Sequence, residues 1–332
     1  MQIENHHPIL SICIPTYNRA EFLEECLESI LLSVKGYEEK VEIIISDNAS
    51  TDGTRKIVEE FKMGYPHIKY HRNTENIGGE RNCYIVASLA NGKYLWLIGD
   101  DDKIADSAIP TVFNKLKDDI NLIICNFSCF SKDFKRITKK QYYKFGTIDC
   151  IYDHNLLLGT FGISFGFISS VIIKKDIFFV ISKDEYEKYV KYSLIFLMPL
   201  YSGIINNCKA AYIDSPLVYN RLNSPVATGV FDLTWCDVFV NGAAIILNDL
   251  ERKGYSSRII KRVKNKTILD YIINYIVNAK ADGRSYDDVY ESLSHNYLDC
   301  WMYWFVCLPL RFVPDIFFKI IKQSYRSIKY NG

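Results

Sequence analysis

No sign of charge dominates this 332-residue chain: 40 Lys and Arg stand against 39 Asp and Glu, a formal net charge of +1. That balance advertises no nucleic-acid partner, so any electrostatic logic must be local. Paired cysteine spacing is missing too. The ten cysteines include no CxxC pair and no zinc-ligand spacing, which reads as the reduced, buried thiols of a cytosolic protein. Neither a GxGxxG nor a Walker run is present, so dinucleotide and P-loop chemistry are not favoured. Residues 1–8 are polar and the first apolar run, 9–14, is short and has no basic lead, so export through a cleaved leader is not expected. Repeats and low-complexity tracts are absent, and the apolar run at 301–310 is well short of the ~20 residues that cross a bilayer.

What is present is a globular balance of 48% apolar and 24% charged residues, enough for a sizeable core. Residues 9–14 form a short apolar strand stopped by Pro15, and 19–33 set Phe22, Leu23, Leu27, Ile30 and Leu31 on one helical stripe. A β-branched strand at 41–45 leads through the turn-rich 46–53 to a helix with Ile57, Val58 and Phe61 inward. Further strands are expected at 68–71, 94–98, 122–125 and 168–173, with helices over 81–90 and 109–116. Apolar strands separated by helices predict an α/β fold, a mostly parallel sheet covered on both faces. Beyond Pro225 the pattern turns helical, over 236–250, 257–279 and from 286, so an α/β domain at 1–224 is followed by a helical C-terminal region at 225–332.

In such sheets the ligand lies at the carboxyl ends of the strands. Here those ends are Pro15-Thr16-Tyr17-Asn18, Asp47-Asn48-Ala49-Ser50 and Gly99-Asp100-Asp101-Asp102. Three adjacent carboxylates repel one another unless a cation sits among them. Mn²⁺ or Mg²⁺ takes one or two carboxylates and completes its shell with water and phosphate oxygens, which suits a nucleoside diphosphate. A solvated acidic turn is the alternative; the position directly after a buried strand favours the metal. The loop at 47–54 can contact a nucleotide, while Ser50 or Asp52 caps the next helix. In Asn76-Ile77-Gly78-Gly79 the glycines permit close backbone approach, and Arg81 opens a helix with a guanidinium able to grip phosphate.

These segments, with Gly92-Lys93-Tyr94-Leu95-Trp96-Leu97-Ile98 leading into the aspartates, resemble family 2 glycosyltransferases of the GT-A fold. Within the family the likeness is to bacterial enzymes that build lipopolysaccharide O-antigen or capsule, abequosyltransferase-like members included. The resemblance implies a donor nucleotide held by Pro15, Thr16, Tyr17, Arg19, Asp47, Asn48, Arg81 and Asp100, and a metal held by Asp100, Asp101 and Asp102. Many relatives have two acids where this chain has Asp47-Asn48. An amide donates as well as accepts, so UDP, CDP, GDP and dTDP donors are all admissible. Gly99 stands where the family's leading acidic residue would be.

The implied reaction is attack of an acceptor hydroxyl on the anomeric carbon of a nucleotide-activated sugar, with inversion and metal-assisted departure of the nucleoside diphosphate. The acceptor is expected to be a glycan, lipid-linked, at the inner face of the cytoplasmic membrane. The family's acceptor-deprotonating acid has its counterpart in Val190-Lys191-Tyr192-Ser193, which has none. Asp184, Glu185 and Glu187 just upstream become the candidate bases, with His154 as another. The apolar residues 301–310 precede Lys319, Lys322, Arg326 and Lys329, a pattern equally suited to peripheral membrane contact through 301–329 and to a helix docked on the body. Two other functions share these features. A catalytically silent nucleotide-sugar-binding or scaffold relative would explain the missing acid, and a nucleotidyltransferase also uses metal-bound carboxylates on an α/β sheet.

Overall fold

The structure, a computed structural model, describes residues 8–146, 148–192, 194, 196–222, 236–320 and 322. They fall into two compact units. In the first, β1 (Leu10–Thr16), β2 (Val41–Asp47), β3 (Ile68–Arg72) and β4 (Tyr94–Leu97) pair in parallel in the order β3-β2-β1-β4. The connections run through α1 (Ala20–Ser33), α2 (Thr54–Gly64) and α3 (Gly79–Ser88). Every residue of β2 and β4, and all but Pro15 of β1, is buried. A strand covered on both faces needs apolar residues on both, which is why these segments read as runs rather than alternation. α1 lays Leu23, Leu27 and Ile30 against the sheet, the stripe its spacing predicts.

The other half of the sheet is mixed. After β5 (Lys103–Ile104) and α4 (Ala108–Leu116), β6 (Leu122–Phe130) starts a second group of strands. The short strands β7 (Ile137–Lys139) and β8 (Ile148–Ile151) pair at its margin. β9 (Val171–Lys174) lies antiparallel between β4 and β6, and β10 (Ala210–Arg221) runs parallel to β6. The expected strand at 168–173 begins late because 168–170 form a single tight turn. β10 is the element the sequence concealed. Its apolar pattern is broken at Asp214-Ser215-Pro216, where pairing with β6 shifts register on both sides of the proline, which has no N–H to give the ladder.

The second unit is helical: α6 (Ala243–Arg252), α7 (Ser257–Thr267), α8 (Ile273–Asp282), α9 (Asp287–Asn296) and α10 (Leu308–Phe312). α7 passes into α8 through a wide turn at Ile268–Ile272, and α8 ends at Gly283, whose φ of 68° is the left-handed conformation a glycine adopts without strain. Val240, Ala244, Ile272, Ile276, Val289 and Leu293 form its core. Residues 155–164 and 191–198 belong to this unit by their contacts, and the domain boundary expected at 224/225 lies outside the described residues. No described helix is long and apolar enough to cross a membrane.

Candidate functional site

The parallel register sets Thr16 opposite Asp47, so the loops that leave β1 and β2 rise side by side. They are cross-braced. Asn18, at a left-handed φ of 52° that asparagine tolerates, accepts the Thr51 N–H on Oδ1 at 2.7 Å, and its own N–H donates to Ser50 Oγ at 2.9 Å. Asp52 accepts from the N–H of Ala20, the first residue of α1, and from that of Thr54, the first of α2, both at 3.0 Å. One carboxylate therefore caps both helices.

Asp47 is fully buried, with Oδ1 accepting the Ser50 N–H at 2.7 Å and Oδ2 the Tyr70 hydroxyl at 2.5 Å. Asn48 donates to Asn76 Oδ1 at 2.6 Å and accepts from the Ile77 N–H and Asn73 Nδ2, both at 3.0 Å, which draws the glycine turn before α3 toward the β2 loop.

The three aspartates divide their roles. Asp100 is buried; Thr16 Oγ1 donates to it at 2.7 Å and Arg19 Nη1 at 2.8 Å. Burial outweighs the Arg19 charge and pushes its pKa up to about 6. Asp101, whose side chain is 19% exposed, stands 3.2 Å from the same Arg19 nitrogen. Asp102 points the other way, into the sheet: Oδ2 accepts from Ser169 Oγ at 2.6 Å, and Oδ1 from Asn220 Nδ2 at 3.0 Å and the Arg221 N–H at 3.3 Å. Burial, and then the charge of Asp101, raise the Asp102 pKa well above the usual carboxylate range. Beneath the turn, Arg221 donates from Nε to the Asp101 carbonyl at 3.1 Å and pairs with Glu25 at 3.1 Å. Its guanidinium lies 4.8 Å from the Phe22 ring centre and 4.2 Å from that of Phe134.

Between these loops lies a cleft of about 180 Å³. Pro15, Thr16, Tyr17, Arg19, Asn48 and Asp100, all expected to hold the donor, line it, as do Asp101 and, from the α3 side, Asn76, Gly79, Asn82 and Cys83. Asp47 and Arg81 are not in its wall. Arg81 instead forms an ion pair with Glu187, Nη2 to Oε2 at 2.9 Å, at the end of α5 (Lys183–Glu187). Asp184 is exposed, and Glu185 has its backbone N–H capped by Ser182 Oγ at 3.1 Å. None of these three candidate bases lines the cleft. Ser193, in the stretch where the acid was sought, lies outside the described residues.

Among the described residues no three His, Cys, Asp or Glu converge as a ready metal cage. Of the three expected ligands, Asp100 and Asp101 face the cleft and Asp102 does not. One open carboxylate with a second beside it still fits a hard cation that draws most of its shell from water and phosphate. Ser169, Asn220 and Arg221 escaped the sequence reading. Had Leu217-Val218-Tyr219 been recognised as a strand, inspection of its carboxyl end would have found the last two.

Residues 11–179 match the family described as Glycosyl transferase family 2. The abequosyltransferase RfbV of Salmonella typhimurium is 34% identical over 225 residues, 64% of this chain and 66% of that protein, so the chain spans just under two thirds of that relative. Glycosyltransferase GlyG of Streptococcus pneumoniae is 22% identical over 293 residues, 85% of this chain and 93% of that protein. In structure, residues 1-349 of S. aureus TarS, crystallised in complex with UDP, superpose with a TM-score of 0.63 at 13% identity, covering 85% of this chain and 77% of that one, a likeness of fold. The matched span carries the strand-end loops of β1, β2 and β4 and the aspartate turn, and the chain belongs to glycosyltransferase family 2 and has the GT-A fold.

Proposed function

We propose that the chain moves a sugar from a nucleotide-sugar donor to a hydroxyl of a lipid-linked glycan, in the synthesis of a bacterial surface polysaccharide. The observation that carries this reading is the Arg19 guanidinium 2.8 Å from Asp100 and 3.2 Å from Asp101 in a cleft walled by the loops after β1 and β2. The likeness to an abequosyltransferase and to a fold that holds UDP supports it. Tyr17 offers a ring to the base, and the Asn48 and Asn76 amides accept and donate alike, which keeps UDP, CDP, GDP and dTDP all open as donors.

Mn²⁺ or Mg²⁺ would be held by Asp101 with Asp100 beside it, and when bound supplies positive charge to the departing diphosphate. The chain's own residues do the positioning. Arg19 relieves the repulsion between the two carboxylates, while Asp102 and Arg221 hold the turn from below. Glu187 is retained as the acceptor-side base because Arg81 ties it to α3, whose Gly79, Asn82 and Cys83 line the cleft. A base that takes the hydroxyl proton makes a single displacement with inversion the consistent course. The lipid of the acceptor sets the reaction at the inner face of the cytoplasmic membrane, with peripheral contact through 301–329.

Thermal unfolding in the presence of UDP, CDP, GDP or dTDP, each with and without Mn²⁺, tests the reading. One nucleotide is expected to stabilise in a Mn²⁺-dependent manner, and its sugar conjugate to release nucleoside diphosphate slowly without acceptor. Binding without turnover would mark a silent relative, release of pyrophosphate a nucleotidyltransferase, and no stabilisation by any nucleotide would refute the donor site.

A further inference from the structure

The end of the helical unit has its two acids paired with buried lysines and much of its apolar side outward. Two acids occur after residue 297, Asp299 and Asp315. Asp299 pairs at 3.2 Å with Lys264, itself 3% exposed, and Asp315 at 2.9 Å with Lys280, 1% exposed. Lys280 also donates to the Tyr286 hydroxyl at 2.8 Å, and the Tyr290 hydroxyl donates to the Cys307 carbonyl at 2.8 Å. Tyr303, Cys307 and Phe318 complete the inward contacts. On the other side, Phe305 and Phe312 are each 77% exposed, and Trp301, Trp304, Ile316 and Phe317 stand about half exposed or more.

A helix docked on a core turns its apolar stripe in, and a soluble surface rarely leaves this many large apolar side chains together in water. Buried lysines pair with both acids of the segment, whose remaining charges are basic, with Arg311 3.6 Å from Asp287 of α9. Arg311 and Lys319 are exposed, Lys322 pairs with Asp282 at 2.8 Å, and the sequence continues with Arg326 and Lys329.

We propose that this crest is the docking surface for an anionic phospholipid bilayer, with the aromatic side chains in the interfacial layer and Arg311 and Lys319 at headgroup phosphates. Tryptophan and phenylalanine flanked by basic residues are what such an interface selects. No described helix is long enough to span, so the segment lies in the membrane plane. A second copy of the chain fits this surface less well, because two-fold pairing sets the patch against itself and brings one basic segment against another. The inference deepens the peripheral contact proposed above and uses none of the cleft residues.

The test is sedimentation of the full chain with vesicles of phosphatidylcholine alone and of equimolar phosphatidylglycerol and phosphatidylcholine. The protein is expected to pellet with the anionic vesicles, and its tryptophan emission to shift to the blue as Trp301 and Trp304 leave water. The double substitution Phe305→Ser, Phe312→Ser changes two exposed side chains. It should weaken vesicle binding at least about tenfold and leave donor hydrolysis unchanged. Lys319→Gln should weaken it about fivefold on anionic vesicles and not on neutral ones. Equal vesicle binding by the double variant overturns the proposal. So does a wild-type chain that ignores both vesicles, or a dimer in ultracentrifugation that the double substitution dissolves. A wild-type chain that turns over donor yet ignores both vesicles defeats this inference alone; wild-type vesicle binding without any donor turnover defeats the transferase reading and leaves the membrane surface standing.

Discussion

Truncation of Asp102 to alanine removes the acceptor for Ser169 Oγ at 2.6 Å, Asn220 Nδ2 at 3.0 Å and the Arg221 N–H at 3.3 Å. Hydrogen bonds to a charged acceptor contribute roughly 1.5–3 kcal/mol each, and the longest of the three contributes least. Against this, a carboxylate with a raised pKa is an uncomfortable buried charge, and its removal returns part of the loss. A net destabilisation of about 2 kcal/mol follows, which lowers the unfolding midpoint by roughly 4–8 °C for a unit of this size. Asp101→Ala differs, because that side chain faces the cleft with Arg19 3.2 Å away, and its midpoint should stay within about 2 °C of wild type. The assay is thermal unfolding by circular dichroism, first of the free protein and then with the stabilising nucleoside diphosphate and Mn²⁺. Asp102→Ala is expected to unfold earlier and still respond to Mn²⁺; Asp101→Ala is expected to unfold normally and lose the response. An Asp102→Ala protein with the wild-type midpoint and no Mn²⁺ response would refute the division of roles, since the bonds to Ser169 and Asn220 would then carry no stability.

Three further outcomes are expected. Asp100 has a folded pKa of about 6 against an ordinary value of 3.8. The folded state therefore holds the extra proton in that window, and the contribution of Asp100 to stability is fully present below about pH 4 and lost as pH rises through 6. Unfolding midpoints measured from pH 7 to 4 should show a gain on acidification that is smaller in Asp100→Asn, the remainder coming from the raised Asp102; parallel curves would contradict this. Glu187→Gln breaks an ion pair with Arg81 in which both side chains are about one-third exposed, so stability should change by less than about 1 kcal/mol. Transfer to a glycan acceptor should nevertheless fall about a hundredfold, and unchanged transfer would leave Glu187 as nothing more than the Arg81 counterion. At Gly92 an added Cβ would sit 2.6 Å from Ser11 Oγ and 2.8 Å from its backbone nitrogen, so Gly92→Ala should cost about 2 kcal/mol in urea unfolding, and a wild-type midpoint would mean the turn moves aside freely.

The sequence by itself determined the first half of the α/β unit. Period and burial are local properties, so runs such as Val41-Glu42-Ile43-Ile44-Ile45 and the stripe of Leu23, Leu27 and Ile30 declare a covered strand and a packed helix without reference to the rest of the chain. The polar ends of those strands then marked Thr16, Tyr17, Asn48 and Asp100, the family resemblance added Arg19, and all of them line the cleft. β10 was illegible because Asp214-Ser215-Pro216 interrupts its pattern, and its pairing is held by β6, a partner some ninety residues away. With β10 unseen, Asn220 and Arg221 were unseen, and three consecutive aspartates looked interchangeable. Only the tertiary structure decided between them. A carboxylate's role follows from the groups around it: β10 and Ser169 approach Asp102 from behind, and Arg19 meets Asp100 and Asp101 from the cleft side. The same holds at the other end of the chain. Sequence pattern suited peripheral membrane contact and docking on the body equally, and only the tertiary structure brought Lys264 and Lys280 to Asp299 and Asp315 and left Phe305 and Phe312 exposed.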